Sequence, residues 1–247
     1  MSLTKGFTLL EMAVVIVIMG IVMAGFVLPM LGQIKVKNQL LELQKYKETK
    51  STLEEIKVDL LGYVTIEGKL PCPDTDGDGK QNATCNSTTP TEGYIPWADL
   101  GLMKGNDAWG NPIRYRINHR YATTLGSTIT GLNPVLKIKE QGKTPDQWLS
   151  NTSSSSSYVA AILFSCGRNG RPESTANNIN NKTDCTNPNA PSPNSDDDFY
   201  LYKDFKKYFT EQPNSELPTD FDDILMWIST YQIVNQLTNV GKWKGVP

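Results

Sequence analysis

The stretch Lys5-Gly6-Phe7-Thr8-Leu9-Leu10-Glu11 is followed at once by Met12–Leu31, twenty residues without one polar side chain. Twenty helical residues rise roughly 30 Å, about the thickness of the hydrocarbon core of a bilayer. Lys5 precedes the apolar run, and Lys35 and Lys37 follow it, so both flanks are basic and charge orients the segment only weakly. We therefore expect residues 7–31 to form a helix of membrane-spanning length.

Glu11 is the one charged residue at the rim of this apolar segment. A carboxylate inside a membrane helix costs on the order of 2–3 kcal/mol, so it needs either a partner or a function. A second interpretation is that Glu11 marks the end of the span and lies among the lipid headgroups.

The segment Gly6–Glu11, with the apolar run behind it, resembles the class III signal of type IV pilins and type II secretion pseudopilins. The resemblance implies that a prepilin peptidase removes the leader 1–6 by cutting between Gly6 and Phe7. It also implies N-methylation of Phe7 and an assembly role for Glu11, whose carboxylate would neutralise the Phe7 amino group of a neighbouring subunit.

Apolar residues at three- and four-residue steps continue after the apolar run and alternate with lysine and glutamate. This pattern predicts that residues 32–61 form an amphipathic extension of the same helix. An ordinary membrane anchor with a stalk and a pilin spine would share this secondary structure, so only the leader distinguishes them.

The remaining residues, 62–247, are numerous enough for one globular head with its own core. Five strands, each bounded by turn-forming residues, are predicted at Pro112–Asn118, Val135–Lys139, Tyr158–Cys166, Phe199–Tyr202 and Ile224–Ile228. A short helix is predicted at Thr230–Asn239, ending near Gly241. The expected fold is α+β, with the long N-terminal helix packed on an antiparallel sheet.

Two internal stretches extend the family resemblance. Asp107–Tyr115 is similar to the Asp-x-Trp-Gly-x-Pro-x-x-Tyr segment of pseudopilin heads. Phe164–Gly170 and Asp222–Ile224 are similar to two further elements of those heads. About fifty residues separate these two elements in this chain, a departure from compact major subunits that favours a minor or specialised subunit.

The four cysteines allow three pairings, and sequence alone cannot choose among them. Each local pair brackets a polar, loop-like stretch, which favours Cys72 with Cys85 and Cys166 with Cys185. Disulfides indicate an oxidising compartment. A four-cysteine zinc site is the alternative, but the chain lacks the Cys-x-x-Cys spacing that is typical of one.

The segment Asp74-Thr75-Asp76-Gly77-Asp78-Gly79 places carboxylates at alternate positions and a glycine at the sixth, like the first half of an EF-hand loop. Asp74, Asp76 and Asp78, with Asn82 at the ninth position, are thus candidate calcium ligands. Cys85 stands where the bidentate glutamate of such a loop belongs, so Glu92 or Asp99 would have to complete the site. The alternative is a solvated acidic turn.

Nothing in the sequence predicts an enzyme or a cofactor other than calcium. There is no Gly-x-Ser-x-Gly elbow, His-Glu-x-x-His helix or glycine-rich phosphate loop, and the one histidine, His119, has no motif partner. The net charge of −2 argues against a general polyanion-binding surface. Two clusters of basic and aromatic residues, which we interpret as solvated faces rather than DNA-binding patches, are Arg114, Tyr115, Arg116, His119, Arg120 and Tyr121, and Tyr202, Lys203, Lys206, Lys207 and Tyr208.

The sequence thus predicts a non-enzymatic structural subunit of a type IV pilus or type II secretion filament. We expect a single pass through the bacterial inner membrane, with the head in the periplasm, and partners that include prepilin peptidase and other pilin or pseudopilin subunits. The alternative is a membrane-anchored binding module, such as an adhesin or a DNA-uptake pilin.

Overall fold

The computed structural model describes residues 8–82, 84–85, 92–123, 125, 136–140, 158–170, 199–202, 223–243 and 245, with the side chains at 24, 26–36, 38–39, 137, 139–140 and 199–202 left out. The chain divides into two units, Met1–Gln44 and Lys45–Pro247. The helices are α1 (Leu9–Glu67) and α2 (Thr230–Asn239), with a short 3₁₀ helix at His119–Ala122. The strands are β1 (Glu92–Tyr94), β2 (Arg114–Ile117), β3 (Lys137–Glu140), β4 (Val159–Ser165), β5 (Phe199–Tyr202) and β6 (Ile224–Ser229).

Helix α1 ends at a left-handed glycine, Gly68, whose φ is +72°. The Gly68 N–H donates to the Val64 carbonyl at 2.8 Å, and the Nζ of Lys242 donates to the Ile66 carbonyl at 2.7 Å. These bonds satisfy carbonyls that have no partner within the helix. The helix therefore continues past Leu61, where the apolar periodicity predicted its end.

One stripe of α1 is fully buried within the second unit. Thr49, Leu53, Ile56, Leu60 and Val64 are each at most 1% exposed and follow one another at steps of four, three, four and four residues. This spacing keeps all five side chains on one helix face. The stripe is therefore the face by which α1 packs on the sheet.

The main sheet has four antiparallel strands in the order β1-β2-β4-β6. Its central strand β4 is buried at all seven positions. Successive strand residues point to opposite faces, so both faces of β4 are covered. The predicted α+β fold with a helix and an antiparallel sheet is thus confirmed for these four strands.

Two cores lie on the two faces of this sheet. Leu163 of β4 belongs to the core that contains the α1 stripe, whereas its neighbours Ile162 and Phe164 belong to a second core. The second core also contains Leu136 and Ile138 at β3, both at most 1% exposed. The α1 helix therefore covers one face of β4, and β3 covers the other.

The predicted strands near β3 and β5 do not belong to the antiparallel sheet. These strands pair with each other in parallel, in a separate two-stranded sheet, with Lys137 opposite Phe199. Parallel pairing needs a long connection between the strands, and about sixty residues, including β4, separate these two. Leu136 and Ile138 at β3 also cover the second face of β4, a contact that no local pattern in the sequence reveals.

The short C-terminal helix is confirmed at its predicted bounds. Ser229 caps α2 in a reciprocal box with Gln232, and Gly241, at φ +71°, follows its end. Ile233 and Leu237 of α2 are fully buried in the first core. The glycine after the helix was the signal that predicted its end, whereas the Ser229 cap was not singled out in the sequence.

Candidate functional site

The start of α1 carries the candidate assembly residue, Glu11. The backbone N–H and the hydroxyl of Thr8 both donate to Glu11 Oε2, at 2.9 and 3.0 Å, and the Glu11 N–H donates to Thr8 Oγ1 at 3.3 Å. This is a capping box, in which the first and fourth residues satisfy each other's groups. Sequence analysis did not single out Thr8, although the Thr-x-x-Glu pattern is the signature of such a box. Gly6 and Phe7, the predicted cleavage residues, lie outside the described residues.

The first turns of α1 expose apolar side chains in every direction. From Leu9 to Met23 the large apolar side chains are between 46% and 92% exposed. An apolar surface of this extent marks a membrane or protein contact rather than a surface in water. Among the residues that the structure describes, no helix is long and apolar enough to cross a membrane. The membrane-spanning role of 7–31 therefore stays a prediction.

Two of the head motifs singled out in the sequence contact each other directly. Asp107 is 4% exposed, and its Oδ1 accepts the N–H groups of Trp109 and Asn111 at 2.9 and 2.8 Å. Its other oxygen, Oδ2, accepts the hydroxyl of Ser165 at 2.6 Å, and the Gly167 N–H donates to the Ser165 oxygen at 3.1 Å. Asp107 therefore joins the turn before β2 to the end of β4, 58 residues away.

Asn111, Gly170 and Ala108 make further contacts at this junction, and these contacts depend on the identity of Asn111 and Gly170. Asn111 donates from Nδ2 to the Gly167 carbonyl at 2.7 Å, and a Cβ on Gly170 would lie 3.0 Å from Asn111 Oδ1. The turn is also held to α1, because the Ala108 N–H donates to the Thr49 hydroxyl at 3.1 Å. The junction consists of a turn, a strand end and a helix, and its hydroxyl–carboxylate pair, Ser165 with Asp107, is buried. Its chemistry is that of a scaffold.

The acidic loop is built around Asp74, which is 1% exposed. Its Oδ1 accepts the N–H groups of Asp76 and Gly77 at 3.1 and 2.6 Å, and its Oδ2 accepts that of Gly79 at 2.8 Å. Burial raises the pKa of Asp74, and the hydrogen bonds from the loop amides oppose that shift. Gly77 and Gly79 have φ values of +85° and +83°, conformations that favour glycine. Asp74 is thus the anchor around which the loop turns.

The structure brings three of the four candidate calcium ligands together. One carboxylate oxygen each of Asp74, Asp76 and Asp78 lies within 4.8 Å of the others, and the last two residues are exposed. The fourth candidate, Asn82, uses its Oδ1 to accept both the N–H and the hydroxyl of Thr75, at 2.6 and 2.8 Å. Calcium binding to this cluster stays a prediction.

The two residues expected to complete a calcium site have other partners. Glu92 accepts hydrogen bonds from Arg114 Nη2 at 2.8 Å and Arg116 Nη1 at 3.4 Å. Asp99 Oδ2 accepts the Gln81 N–H at 2.8 Å. Glu92 therefore belongs to a buried ion cluster instead of the acidic loop, whereas Asp99 holds the loop from outside.

A disulfide closes this loop. Cys72 and Cys85 are bonded, with their Cα atoms 5.7 Å apart. Gln81 ties the loop to α1, since its Nε2 donates to the Tyr63 hydroxyl at 2.7 Å. Cys166 is also disulfide-bonded, but Cys185, its predicted partner, lies outside the described residues.

Three of the six residues of the first basic and aromatic cluster are buried, whereas Arg116 and His119 are partly exposed and Arg120 is exposed. Arg114 is 3% exposed, pairs with Glu92 and lies 5.7 Å from the centroid of the Tyr94 ring. Tyr115 and Tyr121 are fully buried, so the expectation of a solvated face is wrong here, because β2 is covered on both sides. None of these three side chains is available to a phosphate. The second cluster lies outside the described residues except for Tyr202, whose side chain is not described.

His119, the one histidine, lies at the start of the 3₁₀ helix and is partly exposed. Burial, together with the neighbouring Arg120 charge, lowers its pKa. No carboxylate or hydroxyl contact that would make it a catalytic base is recorded among the described residues.

Comparison with known families identifies the N-terminus. Residues 1–27 match the family model of the prokaryotic N-terminal methylation motif. The chain therefore carries the class III prepilin signal of type IV pilins and pseudopilins. No curated protein and no solved structure was found to match the chain.

The prepilin signal, together with the helix and sheet described above, supports a type IV pilin-like or pseudopilin-like protein. Such a signal implies processing by prepilin peptidase and assembly with other pilins. It indicates a structural subunit that is anchored in a membrane or associated with a pilus.

Proposed function

We propose that this protein is a minor or specialised subunit of a type IV pilus or a type II secretion filament. The observation that carries the proposal is the methylation motif at residues 1–27, which includes the exposed apolar side chains from Leu9 to Met23 of α1. A prepilin peptidase cuts between Gly6 and Phe7, and the new terminal amine is N-methylated. The head serves as a structural element without catalytic activity.

Assembly follows from the charges that processing creates. Cleavage gives Phe7 a positive amine at the edge of an apolar helix, four residues before Glu11 in the sequence. Both charges lose hydration when they enter lipid or the core of a filament, and a pair of opposite charges offsets part of that cost. The Glu11 carboxylate of one subunit therefore pairs with the Phe7 amine of the next subunit and sets their register.

The proposed location is the bacterial inner membrane, with residues 7–31 as the single span and later the filament core. The exposed apolar side chains between Leu9 and Met23 support this location, because an apolar surface of this extent marks a contact with lipid or with another protein. The Cys72–Cys85 disulfide supports a head in the oxidising periplasm.

A minor or specialised role is supported by β3 and β5, two strands that are additional to the α1 helix and the four-stranded sheet. Leu136 and Ile138 at β3, the strand that pairs with β5, cover the second face of β4, which a one-sided sheet would leave to solvent. Both strands lie in the long segments that separate the motif-bearing parts of the head. A subunit with such additions is suited to a position with few copies.

The direct test is mass spectrometry of the full chain extracted from membranes of cells that contain prepilin peptidase. The expected product begins at N-methylated Phe7, and a Gly6→Val variant keeps its leader. In the same cells, Glu11→Gln abolishes incorporation into filaments, whereas the control Glu48→Gln, at an exposed site within the same helix, assembles normally. Retention of the leader by the unmodified chain, or normal assembly of Glu11→Gln, would contradict the proposal.

A further inference from the structure

Three dipeptides of the chain place an aspartate or an asparagine directly before a glycine: Asp76-Gly77, Asp78-Gly79 and Asn169-Gly170. Such dipeptides rearrange more readily than others, because glycine has no side chain to shield its backbone nitrogen. That nitrogen can attack Cγ of the preceding side chain and close a succinimide ring. All three acidic or amide side chains are exposed, so water can reach each of them. The three dipeptides are thus candidate sites of covalent modification.

The rearrangement needs no co-reactant other than water. For Asp76, a bond forms between the Gly77 nitrogen and Cγ, and the proton of that nitrogen leaves with the hydroxyl of the protonated carboxyl group as water. A water molecule then opens the ring at one of its two carbonyls. Opening at Cγ restores aspartate, whereas opening at the backbone carbonyl gives isoaspartate, in which the main chain runs through Cβ and Cγ.

In the folded head, Asp74 holds the two glycine nitrogens of the acidic loop. The Gly77 N–H donates to Asp74 Oδ1 at 2.6 Å, and the Gly79 N–H donates to Asp74 Oδ2 at 2.8 Å. Hydrogen bonds to a charged acceptor are stronger than those between neutral groups, and the burial of Asp74 keeps water from competing for them. To attack, each nitrogen must give up its proton and leave the plane of its peptide group, which breaks its bond to the carboxylate.

We propose that Asp74 protects the acidic loop from this modification: by holding the nitrogens of Gly77 and Gly79, its carboxylate keeps Asp76 and Asp78 from becoming isoaspartate. Isoaspartate would lengthen the main chain by an atom within the loop that the Cys72–Cys85 disulfide closes. The protection gives a buried carboxylate a role that requires no bound ion. It is also independent of filament assembly, so it and the proposed function are tested separately.

The second dipeptide of the loop is held by more than Asp74. Asp78 Oδ1 accepts the Lys80 N–H at 2.8 Å, which keeps this carboxyl group away from the glycine nitrogen. The Trp97 ring also lies against Gly79 and leaves no space for a Cβ there. By contrast, the bond that Asp76 Oδ1 accepts from a backbone N–H is longer, 3.4 Å. Asp76 is therefore the site expected to react faster once the protecting carboxylate is removed.

Asn169 provides an internal reference in the same chain. The Gly170 N–H donates to the Cys166 carbonyl at 3.1 Å, a bond that does not involve Asp74. A variant that unfolds the head frees this nitrogen as well, whereas a variant that changes only the acidic loop leaves it in place. The rate at Asn169 therefore distinguishes loss of the fold from loss of the Asp74 bonds.

The test is incubation of the full chain at neutral pH in detergent and in water enriched in heavy oxygen. A chelator is present so that bound metal cannot hold the carboxylates. Each ring opening places a solvent oxygen on the residue, so mass spectrometry of peptides digested in ordinary water measures the rate at each site, and fragmentation identifies isoaspartate. We expect Asp74→Ala to raise the rate at Asp76 by about tenfold, because the lost bond has a charged acceptor. The rate at Asn169 should stay within about twofold.

The variant Asp74→Asn tests the two bonds one at a time. The N–H groups of Asp76 and Gly77 both donate to the Oδ1 position, so the amide oxygen is expected there, and the amide NH₂ group then faces the Gly79 N–H. Asp74→Asn should therefore raise the rate at Asp78 and leave that at Asp76 within about twofold.

Tyr63→Phe is the matched control for loosening of the loop. The Tyr63 hydroxyl accepts a hydrogen bond from Gln81 Nε2, which ties the loop to α1, and its removal leaves the Asp74 bonds in place. Both loop rates should stay within about twofold of those in the unmodified chain. A rise in Tyr63→Phe as large as that in Asp74→Ala overturns the inference, because loosening of the loop would then suffice.

Two results for Asp74→Ala also overturn the inference. One is an unchanged rate at Asp76, and the other is a lower rate, which would make the carboxylate a base that assists the attack. If Asp74→Ala raises the rates at Asp76 and Asn169 equally, the variant has lost its fold and Asp74→Asn decides. A rise at Asp78 without one at Asn169 then supports the inference, and any other pattern refutes it.

Discussion

The junction at Asp107 provides the sharpest test of how the head is held together. Replacing Asp107 by alanine removes three hydrogen bonds, from the N–H groups of Trp109 and Asn111 and from the Ser165 hydroxyl. Each bond to a charged acceptor contributes roughly 1.5–3 kcal/mol, but the three share one side chain and water can enter the gap that it leaves. We therefore expect Asp107→Ala to lower the free energy of unfolding by about 3–5 kcal/mol.

Two control variants test whether the charge and the burial of Asp107 matter. Asp107→Asn keeps the shape of the side chain without its charge, and Asp76→Ala removes an aspartate that is exposed. Asp107→Asn keeps one oxygen for the two backbone donors and presents an amide to the Ser165 oxygen, which can accept it, so the expected loss is only about 1–2 kcal/mol. Asp76→Ala removes an exposed aspartate whose one recorded backbone bond, from the Asp78 N–H, is 3.4 Å long. That control should change the free energy of unfolding by less than about 0.5 kcal/mol.

The assay is urea unfolding of the full chain in detergent, followed by tryptophan fluorescence. Trp97 and Trp109 pack against the first core of the head, so their emission reports on its opening. If Asp107→Ala unfolds within about 1 kcal/mol of the unmodified chain, the carboxylate is not what joins the two motifs, and the reasoning fails.

Four further outcomes are expected. Leu60→Ala, at a side chain with no exposure, should destabilise the head by about 2–5 kcal/mol, whereas Val58→Ala, at a site 66% exposed, should change it little; equal losses in urea unfolding would contradict the packing of α1. Serine at Cys72 and at its partner should cost about 3 kcal/mol in the same assay, since the bond closes a loop with a sequence separation of 13; an unchanged midpoint would assign the loop's stability to its hydrogen bonds. Burial raises the pKa of Asp74 above 3.8, so ionisation of Asp74 opposes folding. The stability that the protonated group contributes is present at acid pH and is lost as pH rises through the raised pKa. Asp74→Asn should flatten that part of the pH–stability curve, and an identical curve would refute the assignment. Millimolar calcium should raise the melting temperature of the unmodified chain but not that of Asp76→Asn, and calorimetry without heat would exclude the site.

Much of the candidate site was predictable because its signals are local. The leader, the apolar run and Glu11 follow one another without interruption, and the match of residues 1–27 to the methylation motif confirms the prepilin signal that they were predicted to form. The α2 helix was predictable for the same reason, since Gly241 follows its end, and the Ser229 cap that the structure shows at its start is an equally local signal.

The partners within the head were not predictable, because they come from distant parts of the chain. No neighbouring residue in the sequence indicates that Arg114 contacts Glu92 and the ring of Tyr94. The strand was therefore predicted to be a solvated face. Glu92 was named as a possible further ligand of the acidic loop, whereas the register of β1 and β2 sets it directly opposite Arg116.

The sequence by itself determined the processing signal, the apolar helix start, the amphipathic helix behind it and the α+β class, because each depends on the periodicity or chemistry of neighbouring residues. Only the tertiary structure decided that Asp107 bonds to Ser165, that β3 pairs with β5 in parallel and that β4 is covered on both faces. Those contacts depend on which surfaces remain to be buried once the helix and sheet have met, and that is a property of the folded chain as a whole.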